Sequence, residues 1–144
     1  MIIDRHAPLT ARKEIVVAAP VDVVWNIHTD IERWPEWQPD ISSISLEGTL
    51  APGTLFRWKA QGLKITSTLQ EVEPQRGIGW TGVALGMKAI HIWKFESQDN
   101  STRVVTEESL SGWLARLLKL FDPAFLDKSL EASLRLLKAK AEQA

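Results

Sequence analysis

The spacing of apolar residues near the start of the chain predicts one strand followed by two short helices. Residues 11–18 are rich in β-branched side chains, which is typical of a strand. Pro20 suits the first turn of a helix, and residues 21–29 carry apolar side chains at helical spacing. Residues 31–34 are expected to form a second short helix or turn, which Pro35 and Pro39 end.

The pattern changes to period two after these helices and back to helical spacing near the end. From Ile41 to about Ser111, apolar alternation between turn residues predicts six antiparallel strands in a meander. Helices are predicted over residues 113–121 and from Phe125 to about Ala141. The last helix has one apolar stripe, formed by Leu126, Leu130, Ser133, Leu134, Leu137 and Ala141. The order of elements predicts an α+β fold with a sheet of about seven strands packed against a long C-terminal helix.

Composition narrows the class of protein. A chain of 144 residues fits one domain, 1–144, with residues 1–10 expected to be a flexible segment. The net charge of −1 argues against a nucleic-acid partner, and the absence of Cys excludes disulfides. We expect no cofactor and no metal site, since the three His residues lack ligand spacing. No membrane span or signal peptide is predicted, so a cytoplasmic monomer or homodimer is expected.

Aromatic residues are the most informative part of the composition. The chain has seven Trp and four Phe, and most lie where strands or a helix entry should direct them inward. Rigid aromatic side chains that converge on one space are typical of the walls of a hydrophobic cavity. The alternative is that they simply fill the core.

Strand register places a few polar side chains among these aromatic residues. A hairpin loop at residues 98–101 would pair His91 with Glu108, and a loop at residues 84–87 would pair Trp80 with His91. Glu107 and Glu108 are neighbours, so only one can point inward, and the register favours Glu108.

The predicted His91–Glu108 pair is a candidate site for proton transfer. A buried carboxylate beside an imidazole is expected to raise the imidazole pKa and to fix its tautomer. The alternative is a structural hydrogen-bonded pair at the rim of a pocket. His28 lies near acidic residues at the end of the first predicted helix, and we expect it to be a helix-terminal charge partner rather than a ligand contact.

Seven short motifs in a fixed order carry a resemblance to a known superfamily. They are residues 19–25 (APVDVVW), 34–39 (WPEWQP), 53–58 (GTLFRW), 65–74 (ITSTLQEVEP), 80–82 (WTG), 91–95 (HIWKF) and 102–109 (TRVVTEES). Together they resemble the START-like, Bet v 1-like (SRPBCC) superfamily, in particular its polyketide cyclase/dehydrase and lipid-transport group. The resemblance implies a helix-grip fold, in which a bent antiparallel sheet wraps around the C-terminal helix and an apolar cavity lies between the two. Members of the superfamily bind lipids, quinones, sterols, polyketides or plant hormones.

Combining the register with this fold gives a predicted set of ligand-binding residues. The set consists of Trp37, Phe56, Trp58, Leu69, Trp80, His91, Trp93, Glu108, Leu130 and Leu134. Three functions remain open: binding or carrying a small hydrophobic molecule, a cyclase, aromatase or dehydratase reaction that uses His91 and Glu108, and a protein-interaction module with a vestigial cavity. The scarcity of convergent ionisable groups favours binding, and an interaction module would instead expose an apolar patch.

Overall fold

The protein folds around one seven-stranded antiparallel sheet. The computed structural model describes residues 1–144, and the strand order across the sheet is β1-β7-β6-β5-β4-β3-β2. The strands are β1 Leu9–Val17, β2 Ile41–Glu47, β3 Leu55–Ala60, β4 Leu63–Glu73, β5 Gly77–Ala84, β6 Met87–Gln98 and β7 Ser101–Ser111. The helices are α1 Val21–Thr29, a 3₁₀ helix Ile31–Glu36, α2 Trp113–Phe121 and α3 Phe125–Glu142. The predicted α+β class and element order are confirmed.

The two short helices carry the chain from one edge of the sheet to the other. β1 and β2 are consecutive in sequence but occupy opposite edges, and β1 pairs with β7. α1 and the 3₁₀ helix lie between them in the chain, and every later strand pairs with its sequence neighbour.

Two-residue turns connect the strands in three of the five hairpins, β3–β4, β5–β6 and β6–β7. Gln61 and Gly62 connect β3 to β4 with φ angles of 51° and 80°, the left-handed conformation of the hairpin turns that match strand twist. The β6–β7 loop is tighter than the four residues predicted, because Gln98 already pairs with Ser101. The shorter loop has the same centre, so the predicted pairs downstream of it are unchanged.

The N-terminal strand begins earlier than the sequence pattern predicts. β1 starts at Leu9, so it includes the last two residues of the segment expected to be flexible. The preceding residues contact the sheet: the backbone N–H of Asp4 donates to Ser109 Oγ at 3.1 Å, and the Met1 ammonium lies 3.2 Å from Glu71 Oε2.

Two apolar clusters lie between the sheet and the helices. The larger one joins α1 and the 3₁₀ helix to the concave face of the sheet and includes Leu134 and Leu137 of α3. The smaller one joins α2 to the other half of α3 and contains Leu9, Ala11, Leu110, Ala115, Leu126 and Leu130. The apolar stripe of α3 therefore spans both clusters, and Ser133 at its centre is only half-buried. None of the helices is long and apolar enough to cross a lipid bilayer.

Candidate functional site

The strand register brings His91 and Glu108 together on the concave face. The two residues pair directly between β6 and β7, and Trp80 pairs with His91 on the other side, as the register predicted. His91 Nδ1 lies 3.6 Å from Glu108 Oε2, just beyond a direct hydrogen bond. Their side chains keep 11% and 15% of their exposure, so the pair is mostly but not completely shielded from water.

A hydrogen-bond chain defines the tautomer of His91. Thr106 Oγ1 donates to the backbone carbonyl of Ile92 at 3.1 Å and lies 2.9 Å from His91 Nε2. A hydroxyl has a single proton to donate, so His91 Nε2 must be the donor in the second bond. In the neutral ring, Nδ1 is then a free acceptor that faces Glu108.

Burial makes both members of the pair neutral near pH 7. It raises the pKa of Glu108 to about 8 and lowers the pKa of His91 to about 3. The expectation that Glu108 would raise the His91 pKa is wrong. The desolvation of the imidazolium dominates, and a protonated carboxyl has no net charge with which to offset it.

Glu107 points to the opposite side of the sheet. Its carboxylate lies 3.5 Å from Arg12 Nε on the adjacent β1 strand, in a solvent-accessible ion pair. The alternation of β7 therefore separates the two acidic neighbours as predicted, with only Glu108 facing inward.

His28 belongs to the interior rather than to the surface. The prediction of a helix-terminal charge partner is wrong, because His28 is only 2% exposed and its ring packs 4.3 Å from that of Trp93. Burial, and secondarily the proximity of His91, lowers the pKa of His28 to about 3. The signal in the sequence was its spacing from Val24 and Trp25, which places all three on the buried face of α1.

Two buried nitrogen atoms in this region have no hydrogen-bond partner within the protein. They are His28 Nδ1 and Trp93 Nε1, which lie on adjacent rings. Two other indoles in this region have partners: Trp34 Nε1 donates to the His28 carbonyl at 2.7 Å, and Trp58 Nε1 donates to Ser67 Oγ at 3.0 Å.

Aromatic contacts fill one end of the concave face. Trp34, Phe56, Trp58 and Trp80 make five edge-on or tilted contacts, with ring centroids 5.5–6.2 Å apart. Trp34 is absent from the predicted set, although it lies within one of the motifs. Six predicted residues belong to the larger apolar cluster around these rings: Trp37, Phe56, Leu69, Trp80, Trp93 and Leu134. Trp58 packs against that cluster, whereas Leu130 lies in the smaller one.

The other end of the concave face is lined by smaller side chains, and Met87 and Ala89 pack there against the smaller apolar cluster. Several inward residues of the strands remain half-buried on this side, namely Ile65, Met87, Ala89, His91 and Glu108. Further along the same strands, Phe56, Leu69 and Trp93 are buried. Among the strands, α3 contacts mainly β1 and only a few residues of β7, so β3 to β6 have little contact with this helix. The His91–Glu108 pair therefore lies where the aromatic packing ends.

Two grooves on the protein surface lie away from this pair. A groove of about 630 Å³ is bordered by Arg12, Lys94 and Glu107, whose neighbours along the strands face the concave side. A second, of about 430 Å³, lies between α1 and the end of α3 and includes Trp37. No group of three or more His, Asp or Glu side chains is placed to hold a metal ion.

Comparison with known proteins places this architecture in a family. The profile of the polyketide cyclase / dehydrase and lipid transport family matches residues 8–142. The chain belongs to this family. Among curated relatives, a Streptomyces cyaneus protein provisionally named a polyketide cyclase is 43% identical over 44 residues, which are 31% of this chain and 29% of that protein.

Solved structures with low sequence identity to this chain have the same fold. The Zhui aromatase/cyclase of Streptomyces sp. R1128 has a TM-score of 0.80 at 18% identity, covering 93% of both chains. A START superfamily protein of Mycobacterium smegmatis has a TM-score of 0.74 at 17% identity, covering 93% of this chain and 97% of that one. The START-like resemblance and the helix-grip fold are thereby confirmed for this polyketide cyclase / dehydrase and lipid transport family member.

Proposed function

We propose that this protein binds a small, mainly apolar molecule on its concave face, with one polar group of the molecule held by His91 and Glu108. The observation that carries the proposal is the neutral donor–acceptor pair at the point where the aromatic packing ends. Few polar groups among many apolar ones are typical of small-molecule sites.

The chemistry of the pair defines the polar group that it suits. A protonated Glu108 donates one hydrogen bond, and His91 Nδ1 accepts one. A ligand hydroxyl, carboxylic acid or enol can complete both bonds at once. A fatty acid, a quinol or an aromatic polyketide has such a group together with an apolar body.

A reaction of the cyclase or dehydratase type is the second candidate, and the protonation states near pH 7 are compatible with it. A neutral imidazole is a general base and a protonated carboxyl is a general acid, and here they face each other near pH 7. In an aldol-type ring closure, His91 would take a proton from a carbon beside a carbonyl group. Glu108 would give a proton to the carbonyl oxygen that becomes a hydroxyl. The similarity to the Streptomyces cyaneus protein supports this candidate.

Identifying a bound molecule is the direct test of binding. Protein purified from its own host would be examined by native mass spectrometry, and the purified chain would be screened by thermal shift against fatty acids, quinones and aromatic polyketides. We expect a co-purified apolar molecule or a shift with compounds that have a hydroxyl or acid group, and a smaller shift with their methyl ethers or esters. The absence of both signals across the screen would contradict the proposal.

A further inference from the structure

Helix α2 exposes an apolar surface that the fold does not use. Trp113, Leu117, Leu120 and Phe121 are 61%, 45%, 75% and 77% exposed and follow the spacing i, i+4, i+7, i+8, so they form one stripe. The opposite face of the helix already packs inward through Ala115. α2 is therefore apolar on two sides, and only one side is needed for folding.

The stripe continues onto the turn between β5 and β6. Leu85 in that turn is 76% exposed, and the next residue, Gly86, lies directly against the ring of Trp113. The N–H of Leu114 donates to the Gly86 carbonyl at 2.9 Å, which fixes the start of α2 on the turn. We call the surface formed by Leu85, Trp113, Leu117, Leu120 and Phe121 the α2 patch.

Basic side chains outnumber acidic ones in the segments that carry the α2 patch. Residues 77–95 and 109–121, which build the hairpin and the helix, contain four of the 17 basic residues and none of the 18 acidic ones. Arg116 and Lys119 lie on α2 itself, and Lys88 lies at the base of the turn. The nearest acidic residue along the chain, Asp122, is paired with Lys128 at 3.0 Å.

We propose that the α2 patch binds the surface of a lipid bilayer that contains anionic phospholipids. Exposed Trp, Phe and Leu side chains flanked by Arg and Lys are the composition of helices that lie in the membrane interface. Their apolar side chains enter the boundary between headgroups and acyl chains, and the cations attract the anionic headgroups. This inference does not depend on the ligand proposed above.

The charges also argue against the other occupants of such a patch. A symmetric dimer through this surface would bring Arg116 and Lys119 of the two copies close to each other, because a two-fold interface is built from the same patch twice. Like charges in such an interface are unfavourable. An anionic surface, in contrast, offers the opposite charge over the whole patch.

The location gives the contact a functional consequence. The turn that contains Leu85 connects β5 to β6, and the inward residues Met87 and Ala89 of β6 are half-buried between this turn and His91. A bilayer bound to the α2 patch would face this end of the concave face, where an apolar molecule could exchange between the protein and the lipid.

Vesicle flotation tests the proposal with the full chain. Vesicles of phosphatidylcholine alone are compared with vesicles containing about 30% phosphatidylglycerol, at about 0.05 M and 0.5 M NaCl. We expect flotation with the anionic vesicles at low salt and its loss at high salt or with phosphatidylcholine alone. The double variant Leu120→Ser/Phe121→Ser should reduce the partition coefficient about tenfold or more, because two apolar anchors are lost.

Control variants distinguish binding through the α2 patch from non-specific adsorption to vesicles. Ile2→Ser alters a side chain that is 77% exposed but lies outside the α2 patch, and it should leave flotation unchanged. Arg116→Gln/Lys119→Gln should weaken flotation with anionic vesicles. Circular dichroism and melting curves of each variant confirm that it remains folded.

Trp113 provides a depth measurement. Trp113 is the only exposed indole of the seven, so brominated acyl chains in anionic vesicles should quench its fluorescence selectively. Trp113→Phe should remove this quenching while the protein still floats. Absence of flotation with anionic vesicles at low salt would overturn the proposal. So would a concentration-dependent dimer that Leu120→Ser/Phe121→Ser disrupts, since the patch would then be an interface between copies.

Discussion

His91 Nδ1 lies 3.6 Å from Glu108 Oε2, and the hydrogen bond from His91 Nε2 to Thr106 leaves that Nδ1 without a proton in the neutral ring. The facing carboxyl retains its proton because burial raises its pKa to about 8. The two groups thus form a complementary donor and acceptor separated by slightly more than a hydrogen-bond length. A ligand oxygen can bridge them with only a small movement of either side chain.

The first prediction concerns which acidic residue contacts the ligand. Glu108→Leu should weaken the binding of a hydroxyl- or acid-bearing compound found in the thermal-shift screen by about 1–3 kcal/mol, because a buried polar group loses its partner. Binding of the corresponding methyl ether or ester should change little. Glu107→Leu is the matched control, since that side chain faces Arg12 on the other side of the sheet. Isothermal titration that gives equal losses for the two variants would show that Glu108 is not in the site.

The second prediction separates a carrier from an enzyme. Near pH 7 a glutamine amide imitates a protonated carboxyl as a hydrogen-bonding group but cannot transfer a proton. Glu108→Gln should therefore leave binding within about threefold of wild type, which is less than the cost of one lost hydrogen bond. If the pair catalyses ring closure, the same variant should reduce turnover of a polyketide-like substrate about 10²–10⁴-fold. Equal turnover of Glu108→Gln and wild type would exclude Glu108 as the general acid.

The third prediction is a maximum of stability near pH 6.5. Buried His91 and His28 have pKa values lowered from 6.5 to about 3, so between these values only the unfolded chain binds their protons and stability rises with pH. Glu108 has its pKa raised from 4.5 to about 8, so between these values only the folded chain keeps its proton and the contribution of Glu108 falls as pH rises. Below pH 6.5 the contribution of the two imidazoles to the pH dependence of stability exceeds that of the one carboxyl. Above pH 6.5 only Glu108 contributes, so stability falls.

Melting temperatures measured from pH 4 to pH 8.5 check this profile. Above pH 6.5 the free energy of unfolding should fall by up to about 1.4 kcal/mol per pH unit, the value for one proton. Glu108→Gln should abolish this decline, and Glu107→Gln should retain it. His28→Gln should make the rise in stability below pH 6.5 less steep. A decline above pH 6.5 that persists in Glu108→Gln would assign it to another group.

The fourth prediction compares two indoles of equal burial. Trp34 and Trp93 are both 3% exposed, but only Trp34 has a partner for its Nε1, the His28 carbonyl. Trp34→Phe should therefore destabilise the protein by about 1–3 kcal/mol more than Trp93→Phe, since it leaves a buried carbonyl unpaired. Urea unfolding measures both variants. Equal costs would indicate that Trp93 Nε1 donates to a buried water.

The fifth prediction concerns the junction between the β5–β6 turn and α2. Gly86 and Gly62 have similar φ angles of 73° and 80°, but a Cβ at Gly86 would lie 2.5 Å from the Trp113 ring, whereas nothing lies within 4 Å at Gly62. Gly62→Ala should cost about 1–2 kcal/mol from the left-handed backbone alone. Gly86→Ala should cost about 1–3 kcal/mol more, the usual range for overpacking. Chemical unfolding of the two variants tests this, and equal costs would mean that Trp113 moves aside freely.

The sequence predicted the strand pairing better than the loops that connect the strands. His91 pairs with Glu108 whether the β6–β7 loop has four residues or two, because both loops have the same centre. The alternation of β7 then assigns opposite faces to Glu107 and Glu108. The fold follows from such local rules, and it is therefore largely readable from the chain.

The properties that were not predicted depend on depth within the folded protein. The pKa direction of His91 follows from how completely the sheet and helices shield it, which period-two spacing does not contain. The acidic neighbours of His28 in sequence suggest a surface position, whereas its spacing from Val24 and Trp25 indicates the buried face of α1. The exposure of Leu120 and Phe121 was not predicted, because a helix with two apolar faces looks like a fully buried one until its packing is known.

Side-chain size varies along the concave face, and this variation would affect which parts of a ligand the protein can select. The rings of Trp80 and Trp93 lie on one side of His91, whereas the small side chain of Ala89 and the flexible one of Met87 lie on the other. In the binding mode proposed above, a molecule whose polar end reaches His91 would lie with its apolar tail directed toward the β5–β6 turn. The surrounding rings would restrict the headgroup of such a molecule but not the length of its tail. The protein would then discriminate the chemistry of the headgroup while accepting tails of different lengths.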